Sequence, residues 1–226
     1  MGFHRIYEHS AGEYDQLVER EDYLANLNSL VRQLLGSKTL KILEMGAGTG
    51  RVSRILHHLG HQVYAYDLHF PMLRTFYNRN RQNKVRIFQA DHRHLPLQNN
   101  IFDAMVAGWT LCHLVDDSPD HWRSQLDGIL KRLESILKPG APLMIIDTLG
   151  TGNGLPEAPA HLEPYYDYLE DKHGFKRHWT RTDYRFVDEE EARSLSSFFF
   201  GTGMKTRLKG NILPECTGVW FRLNSN

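Results

Sequence analysis

Two hydrophobic rhythms alternate between positions 40 and 148. Short, nearly solid apolar runs at Lys41–Met45, Gln62–Asp67, Val85–Gln89, Phe102–Gly108 and Leu143–Asp147 have the length and density of strands buried on both faces. Between them apolar residues recur at helical spacing. Val52, Ile55, Leu56 and Leu59 fall at i, i+3, i+4 and i+7 ahead of Gly60; a second helix is expected over about Pro71 to Arg79; Trp122, Leu126, Ile129, Leu130, Leu133 and Leu137 mark a longer one, stopped by Lys138-Pro139-Gly140. Upstream, Leu24, Leu27, Val31 and Leu34 place a helix within residues 10–35, ended by Gly36. Strands alternating with helices predict a parallel sheet with right-handed crossovers.

Past Thr148 the rhythm breaks. Gly150, Gly152 and Gly154 followed by Pro156, Pro159 and Pro164 suit no regular element and read as a mobile loop, and Tyr165, Tyr166, Tyr168 and Trp179 come after it. An aromatic insertion of this kind over a ligand edge reads as a lid. Asp188-Glu189-Glu190-Glu191 then opens a helix whose apolar face is Ala192, Leu195, Phe198 and Phe199. Met204–Lys209 and Gly218–Leu223, joined by a turn with Pro214, predict an antiparallel hairpin at a sheet edge. The expected organisation is one domain over 1–226: an N-terminal helical cap (1–38), a ligand-binding core (39–148), an aromatic insertion or lid (149–183), and a helix plus hairpin (184–226).

Composition narrows the partners. The 226 residues carry 27 basic and 27 acidic side chains with no block of one sign, so the electrostatic footprint of a nucleic-acid binder is missing. No apolar run approaches the roughly 20 residues of a membrane helix, and the first ten residues lack the apolar segment of a signal peptide. Two cysteines, Cys112 and Cys216, show no metal or redox spacing and point to a reducing compartment, hence a cytoplasmic protein. Of the thirteen histidines, the adjacent His57 and His58 point about 100° apart on a helix, and His92 and His94 have no evident third ligand, so no metal is expected.

The chemistry centres on Glu44-Met-Gly-Ala-Gly-Thr-Gly50. A strand, a bare turn and a helix N-terminus form a binding edge for a nucleotide-like ligand. The dinucleotide pattern G-x-G-x-x-G needs a third glycine at position 51, where this chain has Arg51. Glu44 would repel a pyrophosphate but accepts a hydrogen bond from an ammonium group. S-adenosylmethionine has no phosphate and carries an α-amino group. Three acids end successive strands: Glu44 suits its amino-acid end, Asp67 its ribose hydroxyls and Asp91 its adenine amino group, each contact worth roughly 1.5–3 kcal/mol. An NAD(P)-dependent oxidoreductase of Rossmann type is the alternative enzyme, and a non-catalytic S-adenosylmethionine-binding module the alternative from outside enzymology.

Glu44 to Gly50, Asp67, Ala90-Asp91 with Leu95-Pro96, Phe102-Asp103 and Leu137-Lys-Pro-Gly140 together resemble the class I S-adenosylmethionine-dependent methyltransferases of small-molecule type, over about residues 40–148. The resemblance implies a Rossmann-like α/β fold with a seven-stranded, mostly parallel sheet, a C-terminal antiparallel hairpin and helices on both faces. It implies S-adenosylmethionine as cofactor, with S-adenosylhomocysteine as product, held by Glu44, Gly46, Ala47, Gly48, Asp67, Leu68, Asp91 and His92. Trp109 would line the methionine end, and Tyr14 resembles a tyrosine that these enzymes often carry near the cofactor.

Methyl transfer from a sulfonium is a displacement whose donor arrives activated, so positioning alone can supply roughly 7–11 kcal/mol. For a hydroxyl or amine acceptor a base adds roughly 10²–10⁴-fold. His113, just after the fourth strand, and Asp147, at the end of the fifth, are the candidates, with Tyr165, Tyr166 and Trp179 expected to line an acceptor pocket. Gly108-Trp109-Thr110-Leu111-Cys112 is not the Asn/Asp-Pro-Pro-Tyr turn of nucleic-acid amino-methylating enzymes, and Cys112 is not in a Pro-Cys pair. The expected function is therefore methyl transfer to an O, N or C nucleophile of a small molecule by a monomer or homodimer.

Overall fold

The computed structural model describes residues 3–80 and 84–225. Met1, Gly2, residues 81–83 and Asn226 lie outside the described residues. In chain order the regular elements are α1 (Phe3–His9), α2 (Ala11–Val18), α3 (Asn26–Leu35), β1 (Lys41–Met45), α4 (Arg51–His58), β2 (Gln62–Asp67), α5 (Phe70–Arg79), β3 (Arg86–Gln89), β4 (Ala104–Gly108), α6 (His113–Asp117), α7 (Trp122–Ile136), β5 (Pro142–Thr151), α8 (Glu163–Asp167), β6 (Lys176–Arg181), β7 (Tyr184–Arg185), α9 (Glu189–Phe200), β8 (Ile212–Leu213) and β9 (Glu215–Leu223).

Seven strands form one sheet in the order β3-β2-β1-β4-β5-β9-β6, and β7 pairs with β8 apart from it. The pairs among β1 to β5 are parallel, while β9 runs antiparallel to both β5 and β6. The chain reverses order at β1/β4, which opens the crevice at the carboxyl ends where α/β sheets bind ligands. Because β9 is reversed, its first residue, Glu215, arrives at the same edge as the last residues of β5, in register with Thr151.

Strand alternation divides the sheet's side chains between two apolar layers. Leu43, Met45, Met105, Ala107 and Trp220 pack with Leu126, Leu130 and Leu133 of α7, and Ile42, Val63, Ala104 and Val106 pack with Leu27, Val31, Val52, Leu56 and Phe76 of α3, α4 and α5. A smaller cluster joins Leu17 to Tyr184, Phe186, Ala192, Leu195 and Leu213. Among the described residues, no helix is long and apolar enough to cross a membrane.

The seven-stranded, mostly parallel sheet is the expected architecture, with two local differences. Residues 10–35 form two helices, because the Asp22 carboxylate accepts the Asn26 and Leu27 backbone N–H groups at 2.8 and 3.0 Å and starts a new helix there; Leu24 lies outside it and is exposed. Met204–Lys209 is not a strand: Thr202–Arg207 is a short 3₁₀ turn. The antiparallel partner of β9 is instead β6, from the expected insertion. The physical reason is burial, since Cys216, Val219 and Trp220 are covered on both faces, and only a strand interior to the sheet is covered in that way.

Candidate active site

The turn after β1 needs its glycines. Gly46, Gly48 and Gly50 have φ of 66°, 55° and 93°, the left-handed region where a side chain is strained. A Cβ on Gly46 would also lie 2.5 Å from the Thr110 side chain. Asp67, at the end of β2, fixes the turn's shape: one carboxylate oxygen accepts the Gly48 N–H and the other the His69 N–H, both at 2.8 Å. Burial pushes the Asp67 carboxyl up. Glu44 is buried on the helix side of β1, where Ser53 Oγ donates to it, and burial raises its pKa to about 8.

These residues border a cleft of about 280 Å³ at the carboxyl edge of the sheet. Of the ten residues expected at the cofactor, nine line it: Tyr14, Glu44, Gly46, Ala47, Gly48, Asp67, Leu68, His92 and Trp109. Asp91 does not line it, since its carboxylate is engaged by the Arg93 side chain and backbone N–H, and that partner holds its pKa down at about 2. Left-handed turns on Gly46 and Gly48, with a fixed carboxylate beside them, suit the backbone-close approach of a phosphate-free nucleoside, so the donor set fits S-adenosylmethionine.

Sequence reasoning missed several lining residues. Tyr7 and His4 come from α1, a helix of seven residues too short for a periodic signal. Thr110, Met72 and His69 follow strand ends or open α5, and only the turn positions after each strand hinted at them. Arg51 entered the reading only as a missing glycine. Its guanidinium lies over the Trp109 ring, pairs with the buried Glu21 and faces the cleft.

A second cavity of about 230 Å³ adjoins the first, and Tyr7, Tyr14, Arg51, Trp109 and His113 line both. Its remaining wall is largely apolar, with Asp147 and Glu215 at its polar end. His113 meets the Tyr7 hydroxyl at 3.1 Å, and burial lowers its pKa to about 4, so it is a neutral imidazole near pH 7. Burial raises Asp147 to about 7, with Cys112 and the Thr148 N–H holding it down less strongly.

The expected acceptor-pocket aromatics stand elsewhere. Tyr165 and Tyr166 are wholly buried in the α7 layer, with Tyr166 stacked on Trp220 at 4.4 Å and donating its hydroxyl to the Thr148 carbonyl at 2.7 Å. Trp179 lies on the edge strand β6 and is 47% exposed. None of the three lines either cavity, because the chain packs Tyr165 and Tyr166 under the sheet as core and leaves Trp179 on the solvent-facing edge strand. Phe3, Phe199 and Phe200 supply the aromatic wall instead. Among the described residues, no group of three or more His, Cys, Asp or Glu side chains is placed to share a metal ion.

Residues 43–145 match the methyltransferase domain family. An uncharacterised methyltransferase of Geobacillus sp. is 28% identical over 58% of this chain and 64% of its own length. The malonyl-[acyl-carrier protein] O-methyltransferase of Salmonella typhimurium is 28% identical over 66% of this chain and 53% of its own length. The ubiquinone/menaquinone biosynthesis C-methyltransferase of Haemophilus ducreyi is 30% identical over 49% of this chain and 42% of its own. The chain thus spans between 42% and 64% of these relatives' lengths. Among solved structures, an S-adenosylmethionine-dependent methyltransferase of Methanosarcina mazei covers 86% of this chain with 96% of its own, at 17% identity and a TM-score of 0.56, a likeness of fold. With the acid-glycine-acid order along β1 and β2 and the sheet order found here, that match makes residues 43–145 similar to a methyltransferase domain, on a sheet of the same fold as the solved S-adenosylmethionine-dependent methyltransferase.

Proposed function

We propose that this protein transfers the methyl group of S-adenosylmethionine to an O, N or C nucleophile of a small molecule by in-line displacement. The observation that carries the proposal is the shared wall: two cavities, one bordered by the glycine turn and Asp67, the other largely apolar, meet at Tyr7, Tyr14, Arg51, Trp109 and His113. A donor in the first and an acceptor in the second would face each other across that junction. A module that has lost its acceptor site would have that side sealed or filled, whereas the second cavity here is open. Arg51, committed to Glu21 and Trp109, occupies the position at which a dinucleotide turn needs its third glycine.

When bound, the cofactor supplies a methyl group on a positively charged sulfur, already activated for displacement. The chain's residues do the rest. Gly46, Ala47 and Gly48 cradle the ligand's backbone-facing side, Asp67 orients it, and Tyr7, Tyr14 and Trp109 keep water from the junction. Asp147 is the better proton acceptor of the two candidates, since a group near 7 is half ready at neutral pH whereas His113 near 4 is a weak base. Pro159, His161 and Leu162, from the 149–183 segment, close the far side of the second cavity and are the part of that segment suited to covering an acceptor. Two of the curated relatives named above are a malonyl-[acyl-carrier protein] O-methyltransferase and a ubiquinone/menaquinone biosynthesis C-methyltransferase, which supports a small-molecule group as acceptor. Balanced charge without a basic stripe supports an acceptor other than nucleic acid, and two cysteines without a metal or redox spacing support the cytoplasm as compartment for a monomer or homodimer.

Titration calorimetry with S-adenosylmethionine and S-adenosylhomocysteine tests the proposal. Micromolar binding of either is expected; no binding of either at millimolar concentration, or binding of NAD in their place, would overturn it.

A further inference from the structure

Two carboxylates in the second cavity are held in a state that only a ligand completes. Thr148 organises both: its N–H donates to Asp147 Oδ1 at 3.0 Å and its hydroxyl to Glu215 Oε1 at 2.8 Å. The other oxygen of each, Asp147 Oδ2 and Glu215 Oε2, is buried with no hydrogen-bond partner. The two residues are 1% and 2% exposed, yet both line the cavity. An unpaired carboxylate in such a place is costly, and the cost is removed by a partner that brings both charge and donors.

The chain itself offers little more than the Cys112 thiol at Asp147 and the Thr151 side chain at Glu215, which offset only part of the burial of the two carboxyl groups. Arg51 borders the same cavity, but its guanidinium is engaged by Glu21 and lies over Trp109. Asp116 adds a further negative side chain to the lining, and His113 is neutral. An acidic acceptor would meet like charge. A hydroxyl brings one donor and satisfies one of the two orphan oxygens, whereas an ammonium brings three and satisfies both. Around this pair the wall is Phe3, Leu17, Val18, Leu162, Phe199 and Phe200, which suits an apolar body.

We propose that Glu215 and Asp147 together bind a basic nitrogen of the methyl acceptor, so that the acceptors are amines carried on an apolar or aromatic body. Glu215 is thereby a substrate-selecting residue, brought to the site by the reversal of β9. This rests on the methyltransferase reading, and the test separates the two.

Calorimetry is first run with S-adenosylhomocysteine, then, on the saturated protein and on the free protein, with phenethylamine, 2-phenylethanol and phenylacetate, three probes alike in size. Phenethylamine is expected to bind at least tenfold more tightly than 2-phenylethanol, with phenylacetate undetectable. In Glu215→Gln and in Asp147→Asn the amine is expected to lose at least tenfold and the alcohol less than threefold, with S-adenosylhomocysteine affinity kept. Equal affinity for amine and alcohol, preference for phenylacetate, no amine binding, or an amine preference that survives both substitutions would each overturn the proposal. A protein that prefers the amine but binds no S-adenosylhomocysteine would sink the methyltransferase reading alone.

Discussion

The guanidinium of Arg51 lies on the face of Trp109, its central carbon 3.2 Å from the ring centroid, while its terminal nitrogen pairs with Glu21. Trp109 itself takes a left-handed backbone conformation, φ 48°, directly after β4. A bulky residue in that region is strained by roughly 1–3 kcal/mol and persists only where its surroundings hold it. Arg51 is the residue that holds it, between the two cavities.

The pair predicts an asymmetric double-mutant cycle. The Glu21 side chain is 2% exposed and that of Arg51 15%, so Arg51→Met leaves a buried carboxylate without its cation and should cost about 3–5 kcal/mol in urea unfolding. Adding Glu21→Gln should restore at least half of the loss. S-adenosylhomocysteine affinity should stay weakened in both, because neither double nor single variant covers the indole. A double mutant no more stable than Arg51→Met would show that the ion pair is not what Arg51 contributes.

The glycines of the turn separate two kinds of requirement. Gly46→Ala adds a Cβ 2.5 Å from Thr110 in a left-handed conformation, so overpacking of about 1–3 kcal/mol adds to about 1–2 kcal/mol of backbone strain. Gly48→Ala meets the flexible end of Met72 at 3.4 Å and the Tyr14 ring at 3.9 Å, both ordinary contacts, and should cost the strain alone. Thermal unfolding of the two variants is expected to rank them in that order by a clear margin; equal melting temperatures would mean that Thr110 yields freely.

Much of this site was legible in the chain because β1, β2 and the glycine turn are contiguous. The last residues of a parallel strand lie at its carboxyl end, so Asp67, last on β2, and Glu44, next to last on β1, could be placed at the edge without knowing the sheet, whereas β5 continues past Asp147 to Thr151. Glu215 could not, since it reaches that edge only because β9 is antiparallel and interior, a fact of pairing rather than of local pattern. The aromatic run failed for a related reason: Tyr165 and Tyr166 are apolar enough for a lid or for a core, and only the position of Trp220 on β9 decides that they pack beneath the sheet. The interior place of β9, between β5 and β6, is what the expectation of an edge hairpin missed and what brings Glu215 to the site, so both misses have one cause.

The two base candidates predict different pH profiles. Burial sets Asp147 near 7 and His113 near 4. With Asp147 as proton acceptor, turnover should rise through about pH 7, and Asp147→Asn should lower it by roughly 10²–10⁴-fold and remove that limb. His113→Asn should keep the limb and lose less than tenfold. A limb near pH 4, or one that survives in Asp147→Asn, would move the role to His113. The assay is release of S-adenosylhomocysteine at saturating cofactor.

Buried acids also shape stability. Glu44 has its carboxyl raised from 4.5 to about 8 by burial, so between those values the unfolded chain has released a proton that the folded chain keeps. Stability then falls as pH rises, because the unfolded state binds fewer protons. His113 acts in the opposite window: with its pKa lowered from 6.5 to about 4, the unfolded chain binds the extra proton between them, and stability falls as pH drops. Glu44→Gln isolates the first effect. Its stability relative to the native chain should improve between pH 5 and pH 8 by an amount on the order of a few kcal/mol, since the substituted side chain has no proton to lose. His113→Asn should improve between pH 6.5 and pH 4 instead. Urea unfolding at these pH values measures both; a difference between variant and native chain that does not change with pH would mean that Glu44 is ionised beside Ser53 and that its burial is compensated by the turn.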